Sequence, residues 1–136
     1  MTPFAEQIRG LRAGLWLGRE RPRTIAIAAA RPAEGKTTVT LALGRSAALS
    51  GERVVALACD LRRPSFARLM GGGEAEPGLA DILRGSARLE DVIRKDHLTD
   101  LAYVPAGRAG LETLGLFMSE GMGLLLQTLR HEYDFV

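Results

Sequence analysis

The sequence predicts an α/β domain, a parallel sheet flanked by helices, and three observations carry that prediction. Two short apolar runs lack charge, one holding Ile25 and Ile27 between Arg23 and Arg31-Pro32, the other being Val54-Val55-Ala56-Leu57. Such runs read as strands covered on both faces, as in a parallel sheet. Helix-like stretches alternate with them, and the resulting order β-loop-α-β-α-β-α calls for right-handed crossovers. Finally, Ala33-Glu34-Gly35-Lys36-Thr37 lies between the first run and a helix start, with the spacing of a loop whose backbone N–H groups face an anion.

Each element has its own signal. Thr2 can cap a helix that opens on Pro3 and runs to about Leu17, because proline at the first helical position gives up an N–H that would be unbonded anyway. Phe4, Ile8, Leu11 and Leu15 form its expected packing stripe, and Glu6, Arg9 and Arg12 lie on a separate arc. A charged connector, Arg19 to Arg23, leads into the first strand. After the loop, a helix runs from Lys36 to about Ser50 and stops at Gly51. The next strand, Arg53 to Cys59, delivers Asp60 to its C-terminal edge, where open α/β sheets bind ligands. A short helix over Pro64 to Met70 and a flexible surface segment from Gly71 to Gly78 follow. Two short helices, Gly78 to Leu83 and Leu89 to Arg94, precede a strand at Leu101 to Val104 that Pro105 ends. One long helix from Leu116 to about His131, packing through Leu116, Met122, Leu125, Leu126 and Leu129, leads into a further strand at Tyr133 to Val136. There is no internal repeat.

Length and composition bound the function. At 136 residues the chain fits one domain, residues 1–136, that can bury a real core. No stretch approaches the roughly eighteen apolar residues needed to span a bilayer, and nothing at the N-terminus reads as a signal peptide. A net charge of +2 is too small to point to nucleic acid, although sixteen of the eighteen basic residues are arginine. Cys59 stands alone, which rules out an internal disulfide and fits a reducing cytosol. His97 and His131 lack metal-ligand spacing, so no zinc site is expected.

Three clusters are candidates for chemistry, each with a plainer reading beside it. In the loop, Lys36 can reach the outer phosphates of a nucleotide and Thr37 can coordinate Mg²⁺. The strict pattern has glycine five residues before Gly35, where this chain has Ala30, and a strand–turn–helix connection without a ligand is the alternative. Asp60-Leu61-Arg62-Arg63-Pro64 lies near where the phosphates belong, or is a loop of solvated charges. Glu6-x-x-Arg9-x-x-Arg12 is a solvated helix face with an i, i+3 ion pair on its spacing alone.

With the phosphate loop, Asp60-Leu61-Arg62-Arg63-Pro64, Pro77-Gly78-Leu79-Ala80-Asp81-Ile82-Leu83 and Val104-Pro105-Ala106-Gly107 in this order, the chain resembles the bacterial tyrosine kinases of capsule and exopolysaccharide systems, from Phe4 to Val136. The resemblance implies a P-loop NTPase-type parallel sheet flanked by helices, with residues 1–18 as an N-terminal oligomerisation helix and 23–136 as a nucleotide-binding core. Carried onto matching positions, it implies that Ala33, Glu34, Gly35, Lys36, Thr37 and Thr38 bind ATP and that Thr37 and Asp60 hold Mg²⁺. Lys36 and Asp60 then serve catalysis, and Glu6, Arg9 and Arg12 mediate assembly. Phosphoryl transfer is mostly positioning and charge neutralisation, which suits these residue types.

Three departures from the family pattern stand out. Where the family has Asp-x-Asp the chain has Ala58-Cys59-Asp60, and alanine can neither hold a metal-bound water nor accept a proton. The family's Walker B strand, with its own aspartate, is expected just past Val136, and its C-terminal tyrosine cluster beyond that; Tyr103 and Tyr133 are the tyrosines here. The sheet is therefore expected to be incomplete at its C-terminal end, with an unpaired edge that favours oligomers or poor solubility. The leading expectation is an ATP-binding domain of a protein-tyrosine autokinase that regulates polysaccharide synthesis and export, impaired in catalysis. It would sit in the cytoplasm, at the membrane's inner face through a membrane-spanning polysaccharide co-polymerase-type adaptor, with related kinase subunits as partners. The alternatives are a non-catalytic partner of a full-length kinase or adaptor, and a positioning ATPase of the partition or cell-division type.

Overall fold

The computed structural model describes residues 2–61, 65–72, 76–108 and 110–136. Helix α1 spans Pro3–Trp16, and Thr2 caps it by accepting a hydrogen bond from the Ala5 N–H on its Oγ1 at 3.3 Å. Its inward face keeps only half of the expected stripe, Ile8 and Leu15. Ile8 is buried, and Ala5, Arg12, Leu15 and Trp16 are half-buried, whereas Phe4 and Leu11 are 46% and 45% exposed. Both stripes have helical spacing, and Trp16 packs against the core while the stem of Arg12 reaches inward to Glu52.

Helix α2 spans Lys36–Leu49 and ends before Gly51, whose φ of 85° supplies the left-handed stop that glycine takes without strain. Strand β1 is Val55–Leu57 and α3 is Phe66–Leu69. Helices α4, Leu79–Leu83, and α5, Leu89–Val92, lead to strand β2, Arg94–Lys95, and strand β3, Ala102–Val104. The pairing of β2 with β3 is antiparallel, with Arg94 opposite Tyr103. It was illegible in the sequence, because two basic residues at a helix end carry no strand signal. The expected long helix is two: α6, Thr113–Phe117, and α7, Glu120–Glu132. Ser119 separates them with extended backbone (φ −77°, ψ 156°), and its hydroxyl donates to the Leu116 carbonyl at 2.6 Å, closing α6. Arg62, Arg63 and Pro64 of the acidic-loop motif, and the centre of the segment expected to be flexible, lie outside the described residues.

The sheet order is β1-β3-β2, with β1 and β3 parallel and in register from Val55–Ala102 to Leu57–Val104. Side chains alternate between two cores. Ala56 and Tyr103 face one with Leu41, Ala47, Phe66 and Leu101; Val55, Ala102 and Val104 face the other with Leu79, Val92, Leu125 and Leu129. The sheet is thus covered on both faces, as its apolar runs required.

The first expected strand is extended but joins no ladder along most of its length. Ile25 donates its N–H to Val136 at 2.9 Å, and Val136 donates to Arg23 at 2.9 Å. Phe135 makes a parallel bridge to Val54 and accepts from the Val55 N–H at 3.1 Å. Phe135 and Val136 therefore sit as a strand between the two segments, as their sequence suggested, and hold them two strand spacings apart, roughly 9–10 Å. A cavity of about 560 Å³ adjoins these segments, lined by small residues including Ala28, Ala29, Ala56 and Ala58, with Leu43 and Met122 beside them. Among the described residues, 26–29 make no ladder bonds and border this cavity.

Candidate functional site

The cavity ends at the loop before α2. There Ala33 and Gly35 take left-handed backbone, φ 60° and 86°. Gly35 is the residue before the helix and provides no side-chain cap, so the first N–H groups of α2 are left to face a ligand. The Arg31 N–H donates to Glu34 Oε2 at 3.0 Å, which closes the loop on itself. Gly35 accepts from the Val39 N–H at 2.9 Å, starting the helix.

Around this helix start the fold gathers the expected polar groups. Lys36 Nζ stands 3.3 Å from Asp60 Oδ2, with both side chains partly exposed. Thr37 Oγ1 lies 3.0 Å from Ser65 Oγ. Lys36 and Thr37 come from the first turn of α2, and Asp60 from the chain just past β1, so the C-terminal edge of the parallel sheet brings them together. Ala58 lines the cavity beside them, at the position where the resemblance expects a second carboxylate. Thr38, also in the first turn of α2, is exposed. Ser65 was missed in the sequence, although its place five residues after Asp60 could have suggested it.

This donor set fits a Mg²⁺–nucleotide. An uncapped helix N-terminus and a lysine suit phosphate oxygens, while a hydroxyl and a carboxylate are hard oxygen ligands for Mg²⁺. The Lys36–Asp60 contact keeps both charges neutralised within one site until a ligand shares them.

The second expected constellation divides. Glu6 and Arg9 are exposed on α1, but Arg12 is turned inward, 4.0 Å from Glu52 Oε2. Glu52 also accepts from Trp16 Nε1 at 2.8 Å and pairs with Arg21. Trp16 in turn stacks on Phe135 with ring centroids 4.0 Å apart. This junction joins α1 to the sheet, and sequence spacing could not reveal it because its members lie far apart in the chain.

No family model matches the chain. It is 32% identical, over 99% of its length, to the succinoglycan biosynthesis transport protein ExoP of Rhizobium meliloti (strain 1021), and 26% identical, over 98%, to the putative tyrosine-protein kinase EpsB of Ralstonia solanacearum. It spans 18% of the length of each. The kinase domain of the Escherichia coli tyrosine kinase ETK superposes with a TM-score of 0.90 at 28% identity, covering 97% of this chain and 52% of that one. The septum site-determining protein MinD from Pyrococcus horikoshii, solved with Mg-ADP, is a more distant match, with a TM-score of 0.66 at 28% identity over 83% of this chain and 46% of that one. In sequence motifs and in fold, the chain is a relative of the bacterial tyrosine kinases and matches part of their kinase domain.

Proposed function

We infer that the chain binds ATP·Mg²⁺ as the nucleotide-binding domain of a protein-tyrosine autokinase that regulates exopolysaccharide or capsule synthesis and export. The observation that carries this reading is the uncapped start of α2, with Lys36 facing Asp60 at 3.3 Å. In it, the N–H groups of residues 33–38 and Lys36 hold the phosphates, and Thr37 and Asp60 hold the metal. The nucleotide supplies the phosphoryl group. Lys36 leaves Asp60 for phosphate oxygens, which frees the carboxylate for the metal, and Ser65 holds the Thr37 hydroxyl in place. Tyrosine on neighbouring subunits is the substrate, and a membrane-spanning adaptor is the partner. Among the described residues no helix is long and apolar enough to cross a membrane. Ala58 offers no carboxylate beside Asp60, so transfer is slow even where binding is retained.

Titration with a fluorescent ATP analogue, with and without Mg²⁺, tests the reading. Saturable, Mg²⁺-dependent binding that weakens at least tenfold in Lys36→Ala is expected. A folded chain without binding overturns it, and robust tyrosine autophosphorylation that Lys36→Ala abolishes overturns the slow chemistry. A second reading, a non-catalytic partner of full-length kinases, draws on the exposure of Glu6 and Arg9 on α1. It predicts co-assembly with a full-length relative that Arg9→Ala weakens in sedimentation, and a monomer in both cases removes it.

A further inference from the structure

At the opposite edge of the sheet, where the parallel segments begin, a second concavity of about 440 Å³ opens. Arg21 and Arg23 enter it from the connector before residue 24, Arg53 from the turn before β1, Arg130 and His131 from the last turn of α7, and Asp134 from the chain that follows. Four guanidinium groups line it, and two carboxylates answer them: Asp134 pairs with Arg53, and Glu52 pairs with Arg21 while sharing its charge with Arg12. Among the described residues this leaves at least the charges of Arg23 and Arg130 without a carboxylate, before His131 is counted. The P-loop reading makes no use of this group.

Several of these arginines are held in place by the fold. Arg53 grips Asp134 with two N–H groups, Nη2 at 2.9 Å and Nε at 3.4 Å. One Nη of Arg23 donates to the main-chain carbonyls of Arg130 and Tyr133, the latter at 3.1 Å. That contact also covers the C-terminal carbonyls of α7, whose partial negative charge would otherwise repel an anion. A guanidinium carries five N–H donors, so Arg23 and Arg53 keep donors for a ligand after making these bonds. Their orientation is fixed in advance, which lowers the entropy lost on binding.

We propose that this pocket is a binding site for a phosphate-type dianion, distinct from the P-loop and at the other end of the sheet. A tetrahedral anion with three acceptor oxygens suits arginines converging from separate segments better than a single carboxylate does. A double negative charge matches the surplus. A single open concavity, not a basic stripe, argues against a nucleic-acid backbone. The proposal is independent of whether the P-loop binds nucleotide.

The test is titration of the whole chain with inorganic phosphate and, separately, with phenyl phosphate, followed by NMR at the arginine Nε–H and backbone amide signals at constant ionic strength. Saturating shifts are expected at Arg23, Arg53 and Arg130, with affinity at least fivefold weaker in Arg130→Ala and lost in Arg130→Glu. Arg130 is exposed, so both variants are expected to keep the wild-type circular dichroism. Tighter binding of phenyl phosphate would identify the ligand as an organic phosphate monoester, and tighter binding of inorganic phosphate would identify the free ion. Shifts confined to residues 33–38, shifts that rise without saturation as with chloride, or equal affinity in Arg130→Ala would each overturn the proposal.

Discussion

Asp96 is the buried carboxylate among the described residues, its side chain fully covered, and three hydrogen bonds from two partners make that burial tolerable. Arg45 donates to it twice, Nε to Oδ2 at 2.9 Å and Nη2 to Oδ1 at 2.8 Å, and the Thr99 hydroxyl donates to Oδ2 at 2.9 Å. The Arg45 guanidinium holds the carboxyl at about 2, against desolvation that pushes it up. A folded pKa below the unfolded value means stability that is present above about pH 4 and lost as pH falls toward 2, on the order of 2–3 kcal/mol. Asp96→Asn is therefore expected to lower stability at pH 7 by about that amount, since it leaves Arg45 unpaired. The gap between variant and wild type in urea denaturation should shrink from pH 5 to pH 2. Asp134, which Arg53 also holds at about 2, titrates in the same range in both proteins, so the difference isolates Asp96. A gap constant across that range would contradict the linkage. This pair was illegible in the sequence: Asp96, between Lys95 and His97, reads as one more solvated charge, and only the fold brings Arg45 to it from 51 residues away. That Lys36, Thr37 and Asp60 meet at one edge of the sheet, by contrast, was legible, because it depends on local spacing and on the edge to which a strand delivers its end.

At the scale of elements, what was readable was the existence of most helices and strands, β2 and the break between α6 and α7 excepted, and what was not was the face an element turns inward. Helix α1 illustrates both. Thr2 and Pro3 announced its start, but Arg12 rather than Leu11 faces the core. Arg12→Ala is expected to cost about 1 kcal/mol of stability, from the Glu52 contact and the packing of its stem, while Arg9→Ala, on the exposed side, lowers the melting temperature less. Equal melting for the two variants would mean that the Glu52 junction contributes nothing. Helix α4 gives a sharper case. Leu79 and Ala80 donate their N–H groups to the Pro105 and Ala106 carbonyls at 2.7 and 3.0 Å, so the start of α4 is bonded to the chain leaving β3. A Cβ on Gly78 would fall 2.2 Å from the Gly107 nitrogen and 2.3 Å from the Pro105 oxygen, both main-chain atoms that cannot swing aside. Gly78→Ala should destabilise by more than about 3 kcal/mol and lower Tm by roughly 10 °C. Its φ of −152° is open to any residue, so the cost is steric, and a thermal melt within two or so degrees of wild type would refute the close approach.

For the molecule as a whole, the parallel sheet and its two cores followed from apolar runs that could only be buried on both sides, whereas the uneven pairing of the sheet depends on which segments find neighbours. Strand β3 is flanked by β1 and β2, but residues 26–29 make no backbone–backbone hydrogen bond among the described residues and border the 560 Å³ cavity. Local opening follows local bonding, so hydrogen exchange should be graded across one sheet. The amides of residues 102–104 are expected to exchange with the global unfolding rate, and those of 26–29 orders of magnitude faster. Nucleotide with Mg²⁺ should slow residues 33–38, which face the phosphates, and leave 26–29 fast, because it binds at the end of the cavity and supplies no strand. Slow exchange at 26–29 in the chain alone would mean that another strand pairs there. An unpaired parallel edge recruits a partner most easily from a second copy, and sedimentation at rising concentration would then find a dimer whose dissociation restores fast exchange at those four residues.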